Sequence, residues 1–114
     1  MSNTLSLKFR KDFFKDYARG KPCLIRIAAC VGLRCDGDDT TVLCHPTVAG
    51  LKAMGKRSAS VPDIGAAWGC NTCHAIVDGR ITTDLQKDTL RLYHHEAVTR
   101  TIDALVKAGI LPNP

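Results

Sequence analysis

Aromatic side chains are scarce in this sequence: three Phe, two Tyr and one Trp make up 5% of 114 residues. The apolar content is mostly Ala, Leu, Val and Ile, so a large rigid core is not expected, and a chain of 12.4 kDa gains from a metal staple. Long apolar runs are also missing. No uninterrupted stretch is long enough to span a bilayer, and Met1 to Asp12 lacks the apolar segment of a signal peptide. The expectation is a cytoplasmic protein without membrane contact, in a compartment where six cysteines are better explained as thiolate ligands than as disulfides. Internal repeats and low-complexity segments are absent as well, and the length fits one domain.

Charge is what the chain has in excess. The net value is +5, with basic residues grouped at Lys8, Arg10, Lys11, Lys15, Arg19 and Lys21, at Lys52, Lys56 and Arg57, and at Arg80, Lys87 and Arg91. Lys and Arg contacts to phosphates supply most of the sequence-independent affinity for nucleic acid, so a polyanionic partner is plausible. On composition alone, an ordinary soluble basic protein fits equally well.

Residues 1–19 read as a basic arm or short helix, with Phe9, Phe13 and Tyr17 at i+4 spacing over residues 8–19 and stops at Gly20 and Pro22. Residues 20–114 form the main domain. Within it, Cys23 to Cys30 suggests a short strand with a cysteine at each end. Asp36-Gly-Asp-Asp is a turn, and Thr40 to His45 is a strand that delivers His45 at its end, with Pro46 directly behind. Thr47 to Pro62, rich in Gly, Ala, Ser and basic residues, reads as a mobile loop. A return strand is expected around Ile64 to Trp68, a short helix over Asn71 to Val77, and a long one over about Asp88 to Ala108 that stops at Gly109. Its expected apolar stripe is Leu92, Ala97, Val98, Thr101, Ile102, Leu105 and Val106.

Cys70-Asn-Thr-Cys73-His74 carries the most chemistry. A CxxC followed at once by His has three readings: half of a four-cysteine zinc site, a c-type haem anchor, or a redox dithiol. Haem fails on context, because the cytochrome would need export, Met54 lies upstream in a Gly-rich segment, and four other cysteines would be unexplained. The dithiol reading needs a βαβ unit that the chain does not offer. What remains is a set of four thiolates, Cys23, Cys30, Cys70 and Cys73, with Cys35 as a rival for Cys30; tetrahedral Zn2+ is the expected occupant. Asp78 lies four residues beyond His74, so the two share a helix face. His94 and His95 sit side by side on the last helix, and at most one of them can face a site.

The order Cys, Cys, His45, Asp63, Cys-x-x-Cys-His resembles the zinc-bound branch of the HNH endonucleases, the ββα-metal fold. More narrowly, the chain is similar to the YbcO-like family of small phage and prophage proteins described as nucleases. The matching pieces are Lys21-Pro-Cys-Leu-Ile-Arg-Ile, Val42-Leu-Cys-His45, Val61-Pro-Asp63 and Gly69-Cys-Asn-Thr-Cys-His-Ala-Ile-Val-Asp-Gly-Arg80. They cover roughly residues 20 to 80.

The resemblance implies an α+β fold: a small ββα-metal (HNH-like) core with a structural four-cysteine zinc site, plus a C-terminal helix. It also implies a metal-dependent endonuclease acting on nucleic acid, with DNA the first candidate. By the same likeness His45 would be the general base, and His74 with Asp78 would hold Mg2+ or another divalent ion. Arg80 would contact a phosphate, as would Lys52, Lys56 and Arg57. Two places depart from the HNH pattern: Cys44 stands where many members carry Asp, and Asp63 where they carry Asn. The alternative is a zinc-stapled nucleic-acid-binding or adaptor module without catalysis, which the same cysteines and basic groups would fit.

Overall fold

Two very short strands hold the middle of the chain, β1 (Val42–Cys44) and β2 (Ala67–Gly69), paired antiparallel with Val42 opposite Gly69, Leu43 opposite Trp68 and Cys44 opposite Ala67. The computed structural model describes residues 12–46 and 63–112, and over these the chain is a small α+β fold. Side chains alternate across a sheet, and here the two faces differ in chemistry. Leu43 and Trp68 face a cluster with Phe14, Ala18, Leu24, Ala66, Leu105 and Leu111. Cys44 and Ala67 face a second cluster with Ile25, Ile27, Ala28, Cys70, Cys73, Ile76 and Ala97.

Helix α1 (Phe13–Ala18) buries Phe14 and Ala18. Phe13 and Tyr17 flank this face and stack at 5.8 Å, and Tyr17 reaches the Trp68 ring at 6.1 Å. The helix's most buried line is 14 and 18 rather than 13 and 17; of the expected 8–19, residues 8–11, Phe9 among them, lie outside the described residues. After Gly20 the chain does not form the expected strand over Cys23 to Cys30. Arg26 takes a left-handed conformation (φ 58°), which breaks an extended ladder, and Ala28–Val31 closes into a 3-10 turn. Leu24 keeps a sheet-like bond, its N–H donating to the Trp68 carbonyl at 2.8 Å.

A 3-10 turn at Asp38–Thr40 leads into β1, and a second at Asp63–Gly65 precedes β2. Helix α2 (Asn71–Val77) follows β2 directly, with Cys70 as its N-cap: the Cys70 sulfur accepts from the Cys73 N–H at 3.4 Å, as a serine oxygen does in ordinary caps. Gly69 must stay small at this junction. A Cβ there would run into Ile25 Cδ1 and lie 2.8 Å from Cys44 Sγ.

Helix α3 (Lys87–Lys107) crosses both clusters and buries His94, Ala97, Thr101 and Leu105, a 3-4-4 spacing along one face. Leu92 and Ile102, expected in the stripe, are 57% and 37% exposed because that face leaves them to the side. Thr101 fixes the helix to the sheet: its Oγ1 accepts from the Trp68 N–H at 3.0 Å and donates to the Ala97 carbonyl at 2.8 Å. Arg100 adds a bond to the Leu24 carbonyl at 3.1 Å. The helix ends at Gly109 (φ 77°), where Gly109 N–H bonds to Val106 O and Ile110 N–H to Leu105 O, a Schellman arrangement. Among the described residues no helix is long and apolar enough to cross a membrane. The loop expected over Thr47 to Pro62 lies outside the described residues.

Candidate functional site

Four sulfurs converge between the Cys23 turn, the segment before β1, and the start of α2. Cys23, Cys35, Cys70 and Cys73 place their Sγ atoms within 4.8 Å of one another, and Cys35 and Cys73 are 3.6 Å apart. In a tetrahedral site with metal–sulfur bonds of about 2.3 Å, the sulfurs stand about 3.8 Å apart, so this set can hold a metal ion. The sulfur that joins Cys23, Cys70 and Cys73 is thus that of Cys35, the rival candidate, and not that of Cys30. The turn at Ala28–Val31 carries Cys30 away to the surface, where its sulfur sits 2.9 Å from the Tyr93 hydroxyl. Cys35 comes back to the set just ahead of the Asp38–Thr40 turn.

The electrostatics of the set call for a cation. The Cys73 thiol donates to the Cys23 sulfur, which the Arg26, Cys70 and Ile25 N–H groups also stabilise, and Cys23 falls to about 4 despite its burial. Cys73 is pushed far up by the same contact and by burial. Burial, with the charges on Cys23 and Cys70 adding, raises Cys35 to about 11. The Cys23 thiolate therefore forms readily while Cys35 and Cys73 resist, until a bound positive charge offsets the crowding.

Beyond the sulfurs, His45 directly follows β1, close to where the sequence predicts it. Its Nε2 lies 2.7 Å from Asp63 Oδ1, at the start of the turn before β2. A carboxylate only accepts, so Nε2 is the donor and Nδ1 of the neutral ring keeps its lone pair. The His45 side chain is 38% exposed, open to water. It lines a cavity of about 430 Å3 with Asp12, Lys15, Arg19, Val42, Leu43 and Asp63. Cys44 does not join it. Its buried thiol faces the other side of the sheet, bonded to the Gly69 carbonyl at 3.8 Å and raised by burial to about 12.

His74 and Asp78 do share one face of α2, with Nε2 and Oδ2 at 3.8 Å. Asp78 is also held by Arg80, whose Nε donates to Oδ2 at 2.8 Å. Burial lowers the His74 pKa, the Asp78 charge opposes this, and the Arg80 and His45 charges reinforce it. Among the described residues, no third Cys, His, Asp or Glu joins this pair as tightly as the four cysteines join each other. Lys52, Lys56 and Arg57 lie outside the described residues.

Of the adjacent pair His94 and His95, it is His94 that turns inward. It is 6% exposed, and its Nε2 lies 2.9 Å from the Cys44 carbonyl, the peptide that carries His45. Burial lowers its pKa, the Cys44 bond opposes this, and the charges of His74, His45 and His95 push it further down. The signal was present in the spacing, since position 94 falls in register with Ala97, Thr101 and Leu105.

Comparison with known proteins places these features in a wider group. The family model described as "Putative nuclease YbcO" matches residues 13–110. A solved structure described as "Structure of a putative bacteriophage protein from Escherichia coli str. K-12 substr. MG1655" is similar at 29% identity and a TM-score of 0.62, over 83% of this chain and 98% of that one. A comparison with curated proteins gave no match.

Proposed function

The chain belongs to the YbcO family, and from that membership and its site geometry we propose a metal-dependent endonuclease of the HNH, ββα-metal type, of phage or prophage origin. It hydrolyses phosphodiester bonds in nucleic acid, DNA first, in the cytoplasm. The observation that carries this reading is the His45–Asp63 pair at 2.7 Å, at the end of β1 and open to a cavity. Asp63 fixes the ring through Nε2, and Nδ1 takes the proton of the attacking water, the usual work of a general base, contributing about 10²–10⁴-fold. Asp63 therefore serves where the HNH pattern has Asn. His74 and Asp78 are the protein donors for a catalytic divalent ion, with Mg2+ the first candidate. Such an ion supplies charge neutralisation at the scissile phosphate and leaving oxygen. Cys23, Cys35, Cys70 and Cys73 hold a structural Zn2+, whose soft thiolate set excludes Mg2+.

Plasmid nicking tests the assignment. Wild-type protein with Mg2+, Mn2+, Zn2+ or Ni2+ should convert supercoiled DNA to open circles, and His45→Ala should lose this while keeping its fold and DNA affinity. A second reading, the zinc-stapled binding module without catalysis, is favoured by one contact: Arg80 already neutralises Asp78, one of the two proposed donors for the second ion. Absence of cleavage by the wild type with all four metals would decide for it.

A further inference from the structure

We infer that Lys15 of α1 and Arg19, which caps its C-terminal end, form the phosphate-binding wall of the His45 cavity, so that the nucleic-acid backbone crosses this helix beside the scissile site. This rests on reading the cavity as a nucleic-acid site. Lys15 and Arg19 are four residues apart, on one face of the helix end, and both line the same cavity as His45 and Asp63. Phe14 and Ala18 anchor the helix in the core alongside Leu43 and Trp68, so the two cations are carried on a fixed support. Both side chains are exposed, and among the described residues neither forms an ion pair. Among the described residues three other cations do pair, Arg80 with Asp78, Arg91 with Asp88 and Lys107 with Asp103, but of the unpaired ones only Lys15 and Arg19 line this cavity.

The remaining charges of the cavity define where the anion sits. Asp63 is engaged by His45, and Asp12 lies one helical turn before Lys15, so its carboxylate repels a phosphate from that end and leaves the Lys15–Arg19 side for it. Lys and Arg side by side suit successive phosphates of a polymer, the Arg fork holding one with two bonds and the Lys acting as a point charge. The ligand is a phosphodiester backbone flanking the bond to be cut.

Fluorescence anisotropy with a labelled DNA duplex, with no divalent ion added so that cleavage is suppressed and the ion of the four cysteines stays in place, and over a salt series, tests this. Each phosphate contact contributes about one unit to the slope of log affinity against log salt. Lys15→Ala/Arg19→Ala should flatten that slope by about two units and weaken binding at least tenfold at low salt. Arg91→Ala/Lys107→Ala, which removes the same charge from paired sites on α3, should leave the slope within half a unit. Bound zinc and thermal melting establish that the variants are folded. Competition by inorganic phosphate at millimolar concentration with no preference for DNA would reassign the pair to free phosphate and overturn the inference. An unchanged slope in Lys15→Ala/Arg19→Ala would overturn it while plasmid nicking by the wild type stood. A slope flattened by Lys15→Ala/Arg19→Ala, together with a wild type that never nicks, would sustain it and remove the catalytic reading alone. Absence of DNA binding by the wild type would overturn both.

Discussion

Replacing Cys35 by Ser separates the two arrangements the cysteines allow. The four sulfurs tie the Cys23–Cys35 segment to the start of α2, and between Cys35 and Cys70 a bound ion closes a loop of about 35 residues, worth about 4 kcal/mol by the chain-entropy relation used for cross-links. A domain of this size has about 5–15 kcal/mol in total, so loss of the ion removes a large share. Cys35→Ser should bind zinc much more weakly, and with a competing chelator present its metal falls away while wild type retains one ion per chain. The melting temperature should then drop by at least about 15 °C, since 1 kcal/mol corresponds to about 4–8 °C for a small domain. Cys30→Ser removes only a surface thiol beside Tyr93 and should keep the ion and melt within about 2 °C of wild type, as surface changes usually do. Metal content by mass spectrometry and melting by circular dichroism read both variants. Full zinc in Cys35→Ser together with loss of zinc in Cys30→Ser would refute the arrangement.

Three further outcomes follow from the same geometry. Asp63→Ala should slow plasmid nicking by at least about tenfold with little effect on DNA affinity, because it frees the His45 ring without removing it; equal rates would show that the carboxylate does not position the base. His94 is buried with a lowered pKa, so the unfolded chain takes up this proton first as pH falls. Stability is therefore lost below about pH 6.5, by up to about 1.4 kcal/mol per pH unit, and His94→Gln should flatten the profile in urea denaturation between pH 5 and 7. Gly69→Ala should cost about 1–3 kcal/mol in urea unfolding, since its methyl meets Ile25 and Cys44; a neutral effect would mean that the β2–α2 junction yields easily.

Much of the middle of the chain was legible. Val42–Cys44 and Asn71–Val77 stand where β-branched patterning and the CxxCH signal predict them, and α3 stops at its glycine. What could not be read depended on tertiary demands. Ile25 and Ile27 look like strand residues, yet Arg26 turns left-handed so that its N–H can reach the Cys23 sulfur, and no local propensity encodes that need. Cys30 and Cys35 are equivalent as ligands on paper; a single 3-10 turn turns one outward and leaves the other to return. His45 was visible from its place after a strand, whereas its bond to Asp63 spans 18 residues and depended on how the chain returns.

The strand pairing acts as a short ruler between the four sulfurs and His45. Cys70 follows Gly69, Gly69 pairs with Val42, and His45 stands three residues beyond Val42. A one-residue slip would send Leu43 toward the sulfurs and Cys44 toward Trp68, exchanging a greasy face for a thiol-lined one, so the hairpin has a single acceptable setting. Whatever moves Cys70 moves His45 with it, so an ion held by the sulfurs would set the position of the histidine at the other end.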